Sequence, residues 1–120
     1  MFDFEKLDVY NEIRDVNRKV LAFLNENKEM PDFIRKNFKN TTMEIQLDLA
    51  DGTSRMTRNE KRDKYTQARA NVFICVAILQ TLIDMNGIDK NNYEDFYGGY
   101  ERISKMLLGM IRSADSRNGN

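Results

Sequence analysis

The chain has 120 residues, enough for one domain with a buried core, and its nineteen basic and nineteen acidic residues cancel to no net charge. Whole-molecule electrostatics therefore gives no pull toward nucleic acid or an anionic membrane, and only local charge can. The absence of histidine removes Ser-His-Asp and Cys-His nucleophiles, the Glu-x-x-His motif of di-iron bundles and ordinary zinc catalysis.

Four helices and three short connectors follow from the spacing of apolar residues. In the first, Val9, Ile13, Val16, Val20 and Leu24 recur at steps of three and four, which is one helical stripe, and Asn25-Glu26-Asn27-Lys28 ends it. Pro31 suits the first turn of a second helix, where its missing N–H costs nothing, and Asp32 complements the helix dipole. The apolar stripe of that helix is Ile34, Phe38, Thr42, Ile45 and Leu49, and Gly52 is the expected terminator.

Thr57-Arg58-Asn59-Glu60 has the spacing of a capping box, so the third helix starts near Arg58. Its stripe is Tyr65, Ala68, Val72, Cys75, Leu79 and Leu82, and Asn86-Gly87 stops it. Asn91 is the expected cap of the fourth helix, whose stripe is Tyr93, Phe96, Tyr100, Ile103, Leu107 and Met110. Each glycine of Gly98-Gly99 costs this helix nearly ~1 kcal/mol relative to alanine, which implies close approach of a neighbour or a local break.

Short connectors favour antiparallel neighbours, so the expected fold is all-α: an up-down-up-down four-helix bundle over residues 1–113, with a disordered tail over 114–120. The run from Val72 to Leu79 is apolar on every face. It leaves Phe73, Val76, Ala77 and Ile83 on the flanks of the third helix as a candidate homo-oligomer interface, with a monomer of thick core as the alternative.

The other half of the third helix is basic. With Arg55 just ahead of it, Arg58, Lys61, Arg62, Lys64 and Arg69 make six basic residues from Arg55 to Arg69 against only two acids, an arrangement suited to a phosphate backbone. Glu44, Asp48 and Asp51 at the end of the second helix offer the same cations partners across a tight connector, so a charge-paired hairpin competes with nucleic-acid binding. Tyr93, Tyr97 and Tyr100 could stack on bases, although Tyr93 and Tyr100 fit the core stripe.

No P-loop or dinucleotide fingerprint is present, and Asp84-Met85-Asn86-Gly87 places its glycine too early for a calcium loop. The expectation is a protein that is not an enzyme and holds no cofactor or metal. A single cysteine inside an apolar run fits a cytoplasmic setting. No transmembrane span or secretory signal is read from the sequence, and no membrane partner is expected.

Phe4-x-x-Leu7-Asp8-Val9-Tyr10 resembles the opening of a family of small bacterial four-helix bundle proteins, which include those encoded by intervening sequences of large-subunit ribosomal RNA genes. Tyr93-Glu94 and the stretch Ile103-Ser104-Lys105-Met106-Leu107-Leu108-Gly109-Met110-Ile111-Arg112-Ser113 resemble the last helix of that family and of its relative Avd, the accessory variability determinant of diversity-generating retroelements. The resemblance implies a non-catalytic homopentamer of four-helix protomers that binds RNA or DNA and a reverse transcriptase through a basic surface. Carried onto this chain, the contacts are Arg55, Arg58, Lys61, Arg62, Lys64 and Arg69, with Arg102, Lys105 and Arg112 as a second set beside Gly109. The alternative is an oligomeric scaffold that works without nucleic acid.

Overall fold

A short 3-10 turn over Asp3–Lys6 precedes α1 (Asp8–Glu26), α2 (Asp32–Ser54), α3 (Arg58–Asp84) and α4 (Lys90–Asn118). These elements come from a computed structural model that describes residues 1–118, with side chains through Asp115, and no strand occurs among them. Each helix packs on its neighbour in sequence, and α4 closes back on α1. The result is an up-down-up-down bundle measuring 51 × 26 × 22 Å. Cross-helix pairs fix the antiparallel register: Glu12 meets Arg102 and Lys19 meets Asp95 between α1 and α4, and Asp51 meets Lys64 between α2 and α3.

All residues of the first three expected stripes are buried, as are Phe96, Tyr100, Ile103 and Leu107 of the fourth. Tyr93 and Met110 are only half-buried at its ends. One layer of this core is polar. Thr42 donates to Asn17 Oδ1 at 2.6 Å, so its single proton is committed and the Tyr100 hydroxyl 2.7 Å away must donate to it. Asn17 in turn donates to Gln46 at 3.1 Å, and Gln46 to the Tyr10 hydroxyl at 3.3 Å. Three helices thus share one directed chain of hydrogen bonds, and among the described residues no buried side-chain polar atom lacks a partner.

The helix ends show where local signals were read correctly and where they were displaced. Thr57 caps α3 as expected, accepting from the Glu60 backbone N–H at 3.2 Å, while the Glu60 carboxylate reaches back to the Thr57 hydroxyl at 2.9 Å instead of to its backbone N–H. At the other end Asn86 takes the left-handed conformation with φ 59°, while Gly87 donates to the Leu82 carbonyl at 2.8 Å and Asn86 to the Ile83 carbonyl at 3.2 Å. This is a Schellman motif with asparagine in the left-handed place. The cap of α4 is Asp89 rather than Asn91: its carboxylate accepts the Asn92 N–H at 3.1 Å, and that bond lowers its pKa. Pro31 likewise stands one residue before the helix proper, at the cap of α2.

Gly52 does not terminate α2, which runs on to Ser54 without a positive φ at the glycine. It is buried because the Tyr65 ring lies against it, where an added Cβ would come within 2.7 Å of Tyr65 Cε1. Gly98-Gly99 makes no break, since α4 is continuous through both. Gly99 is the contact, with Val16 Cγ2 2.5 Å from where its Cβ would stand. α4 also continues past Ser113, where the tail was expected to begin, and Asp115 pairs with Arg62. The part of that expectation concerning residues 119 and 120 lies outside the described residues.

One helix among the described residues, α3, is long and apolar enough to cross a membrane by length and composition. A core helix of a bundle meets the same criteria. α3 does carry apolar surface that its own bundle leaves open, at Phe73 and Ile74.

Candidate functional site: the face between α3 and α4

Arg55, at the end of α2, and the basic residues of α3 do not form one free cationic face. Arg55 donates to both carboxylate oxygens of Asp51, at 2.9 and 3.0 Å, and stands 3.9 Å from Glu60. Lys64 reaches the same Asp51 at 3.1 Å. Lys61 donates to the Thr53 carbonyl at 2.9 Å, and Arg62 bridges Asp63 and Asp115, each at 3.2 Å. Arg69 donates to the Ser104 carbonyl at 3.3 Å and lies 4.8 Å over the Phe73 ring. Arg58 is exposed on the first turn of α3, beside a groove shared with Lys61 and Met106.

Of the three acids expected to meet this end, Asp51 takes the cations. Asp48 is buried and accepts from Asn71 at 2.9 Å, with its pKa raised by burial and then by the nearby Glu44 charge. Glu44 is exposed. The second basic set is divided: Arg102 pairs with Glu12 on α1 at 2.8 Å, whereas Lys105 and Arg112 stand exposed on α4.

Hydrogen bonds from Arg55 and Lys64 hold the Asp51 carboxyl down from 3.8 to about 2. Folding therefore favours the charged form. The stabilisation is complete above the unfolded value near pH 4 and is lost as pH falls toward about 2. Asp51→Asn is expected to flatten the acid side of the stability curve inside that window while changing little of its shape above it. Melting temperatures of wild type and variant across about pH 5 to 2 test this; curves that stay parallel throughout would exclude the pairing.

The four expected interface residues lie along α3 at differing depth. Phe73 is 56% exposed, Ala77 is exposed, and Val76 and Ile83 are half-buried against the core. Three contributors went unread: Ile74 at 48% exposure, and Leu108 and Ile111 on α4. The signal for the α4 pair is a second stripe, Tyr97-Glu101-Ser104-Leu108-Ile111, which runs at helical spacing beside the core stripe but is interrupted by two polar residues.

These side chains border two adjoining grooves. One, of about 350 Å³, lies among Val72, Phe73, Val76, Tyr97 and Lys105. The other, of about 430 Å³, lies among Thr66, Ala70, Ile74, Leu108 and Ile111. Arg69 and Phe73 form the ridge between them. Of the three tyrosines, Tyr100 is fully buried and Tyr93 half-buried, which leaves Tyr97 at this surface.

Little else carries chemistry. Burial pushes the Cys75 thiol up to about 12, so it stays protonated and is no nucleophile. Among the described residues no group of three or more acids or thiols could hold a metal ion.

The fold is similar to the crystal structure of a protein of unknown function from the S23 ribosomal protein family of Bacteroides thetaiotaomicron, with a TM-score of 0.79 and 18% identity over 86% of this chain and 97% of that one. At that identity the likeness shows the four-helix fold alone. No family model matches the chain, and no curated protein does.

Proposed function

We propose that the chain is a non-catalytic, homo-oligomeric interaction scaffold, assembled through the face between α3 and α4. The observation that carries this reading is the apolar surface that α3 keeps outside its own core, with Phe73 at 56% and Ile74 at 48% exposure beside Tyr97 at 38%. Contiguous exposed apolar surface of this kind serves association. Phe73 would be its anchor, because a buried aromatic side chain with a cation on its face concentrates binding energy.

Phe73→Asp is expected to dissociate the assembly, raising its dissociation constant at least about 30-fold, as loss of a hot-spot aromatic does. More than half of the side chain is already exposed, so helicity should persist. Sedimentation of wild type and variant reads both. A wild-type chain that is monomeric at every concentration, or that leaves solution for lipid vesicles instead of assembling, would overturn the reading.

A second reading, that of an Avd-like accessory protein which holds RNA or DNA and a reverse transcriptase on a pentamer, draws on the exposed stripe of Arg102, Lys105, Gly109 and Arg112 along α4. Against it, Asp51, Asp63 and Asp115 already engage three of the cations on the α3 side. The two readings separate in a titration with single-stranded RNA at low salt: counterion release makes phosphate binding weaken steeply as salt rises.

A further inference from the structure

The 3-10 turn ahead of α1 has a composition that matches what the grooves lack. Its residues Phe2-Asp3-Phe4-Glu5 alternate aromatic and acidic side chains, with Lys6 as the one cation. Phe2 is 73% exposed, yet it is not loose: its ring stacks on Phe4 with centroids 5.9 Å apart, and Phe4 rests on Tyr10 at 4.8 Å. The backbone is held as well, since the Phe2 N–H donates to the Glu5 carboxylate at 2.7 Å. An exposed aromatic side chain held ready in this way loses little freedom when it docks.

Placement decides what it can dock into. The turn packs on α1 and α2, whereas the grooves lie between α3 and α4 on the opposite side of the bundle. A protomer therefore cannot fill its own groove. The heights agree: Tyr10, on which Phe4 rests, is near Glu12, which pairs with Arg102, while Arg69 on the groove ridge bonds Ser104 half a turn further along α4. A second copy displaced sideways, with its axis parallel, would bring Phe2 level with the ridge of Arg69 and Phe73.

The charges agree too. The groove rims carry more basic than acidic side chains, Arg69 and Lys105 against Glu101, and Arg112 stands one turn beyond Leu108 on the same side of α4. Asp3 and Glu5 bring the opposite sign.

We propose that the Phe2–Glu5 segment of one copy seats on the Arg69–Phe73 ridge of the next, with the Phe2 ring in the adjoining apolar groove and Asp3 near Arg69 and Lys105. This rests on the homo-oligomer reading and deepens it. The contact joins two different faces, so it is heterologous and repeats from copy to copy until a ring closes or a filament grows.

The test is sedimentation velocity on four samples of the full chain: wild type, Phe2→Asp, Phe73→Asp, and an equimolar mixture of the two variants. Each variant alone should be monomeric, with dissociation constants raised at least about 30-fold. Their mixture should form a dimer and stop there, because the intact segment of one variant fits the intact groove of the other and no second junction remains. Phe2→Ser, which adds no charge, should behave as Phe2→Asp does. A Phe2→Asp chain that keeps the wild-type mass overturns the head-to-tail contact and leaves the homo-oligomer reading standing. Two monomeric variants whose mixture stays monomeric at high concentration also overturn it. A monomeric wild type overturns the oligomer reading itself.

Discussion

Thr42→Val is expected to destabilise the bundle by about 3 kcal/mol, a large loss for a change of one atom's identity with nearly constant volume. The side chain is fully buried, and its hydroxyl both donates to Asn17 and accepts from Tyr100. Valine can do neither. The Asn17 carbonyl oxygen would stay out of water without that bond, and the Tyr100 hydroxyl would keep only the Cys75 thiol, a weak partner, at about 1–3 kcal/mol apiece. Desolvation dominates here, because neither group can turn to solvent: Tyr100 is wholly buried and Asn17 is 3% exposed.

The control is Tyr100→Phe. It removes a donor and leaves the Thr42–Asn17 bond in place, so it should cost only about 1 kcal/mol. With valine at 42 and phenylalanine at 100 together, only the Asn17 oxygen has lost its partner, and the combined loss should fall short of the sum of the single losses. Urea unfolding of the four proteins at one fixed concentration reads the coupling. Strict additivity, or a Thr42→Val loss below about 1 kcal/mol, would mean that the polar layer does not act as a unit.

Gly99→Val is expected to cost a similar amount, about 3 kcal/mol, for the opposite reason: too much material instead of too few hydrogen bonds. The first added atom alone would stand 2.5 Å from Val16 Cγ2. Val16 cannot step aside cheaply, since a β-branched side chain in a helix has one strongly preferred rotamer. The helices must then part where Gly99 of α4 meets Val16 of α1.

The neighbouring glycine gives an internal comparison. A Cβ at Gly98 would meet only Arg102 Nη1 at 3.6 Å, an ordinary contact with the end of a flexible side chain. Gly98→Ala should therefore stabilise the helix by about 0.5–1 kcal/mol through propensity. Gly99→Ala should destabilise the bundle, and trimming Val16 to Ala in that background should recover part of the loss. Thermal melts of these variants test the pair. A Gly99→Ala that is as stable as Gly98→Ala would remove the close approach as an explanation for the glycine.

The core could be read from the sequence because it rests on spacing. A residue three or four places along a helix lies on the same side whatever the helix packs against, so Val9 to Leu24, Ile34 to Leu49 and Tyr65 to Leu82 declared their buried faces unaided. The cap at Thr57 was legible for the same reason, since its partner Glu60 is only three residues away. Where two candidates stood close together, as with Asp89 and Asn91, the choice turned on where the preceding turn released the chain, which no short window contains.

The candidate site was less legible because each of its parts needs a second helix. Gly52 and Gly99 carry the same residue type as any helix terminator or breaker, and only the Tyr65 ring and the Val16 methyl opposite them make them contact points. The basic run of α3 looks uniform along the chain. Arg55 meets Asp51 four residues away, but Lys61, Arg62, Lys64 and Arg69 are told apart by the Thr53 carbonyl, Asp115 on α4, Asp51 on α2 and the Ser104 carbonyl, which lie 8 to 53 residues away.

By itself, then, the sequence determined an all-α bundle, its four buried stripes and the surplus of apolar surface on α3, because helical periodicity and capping are encoded within a few residues. The tertiary structure alone decided which charges are already matched, which glycine is a contact, and that the aromatic, acidic turn and the apolar groove beside Arg69 lie on different faces of the bundle. Those depend on distances between segments far apart in the chain, and packing sets such distances where local propensity cannot.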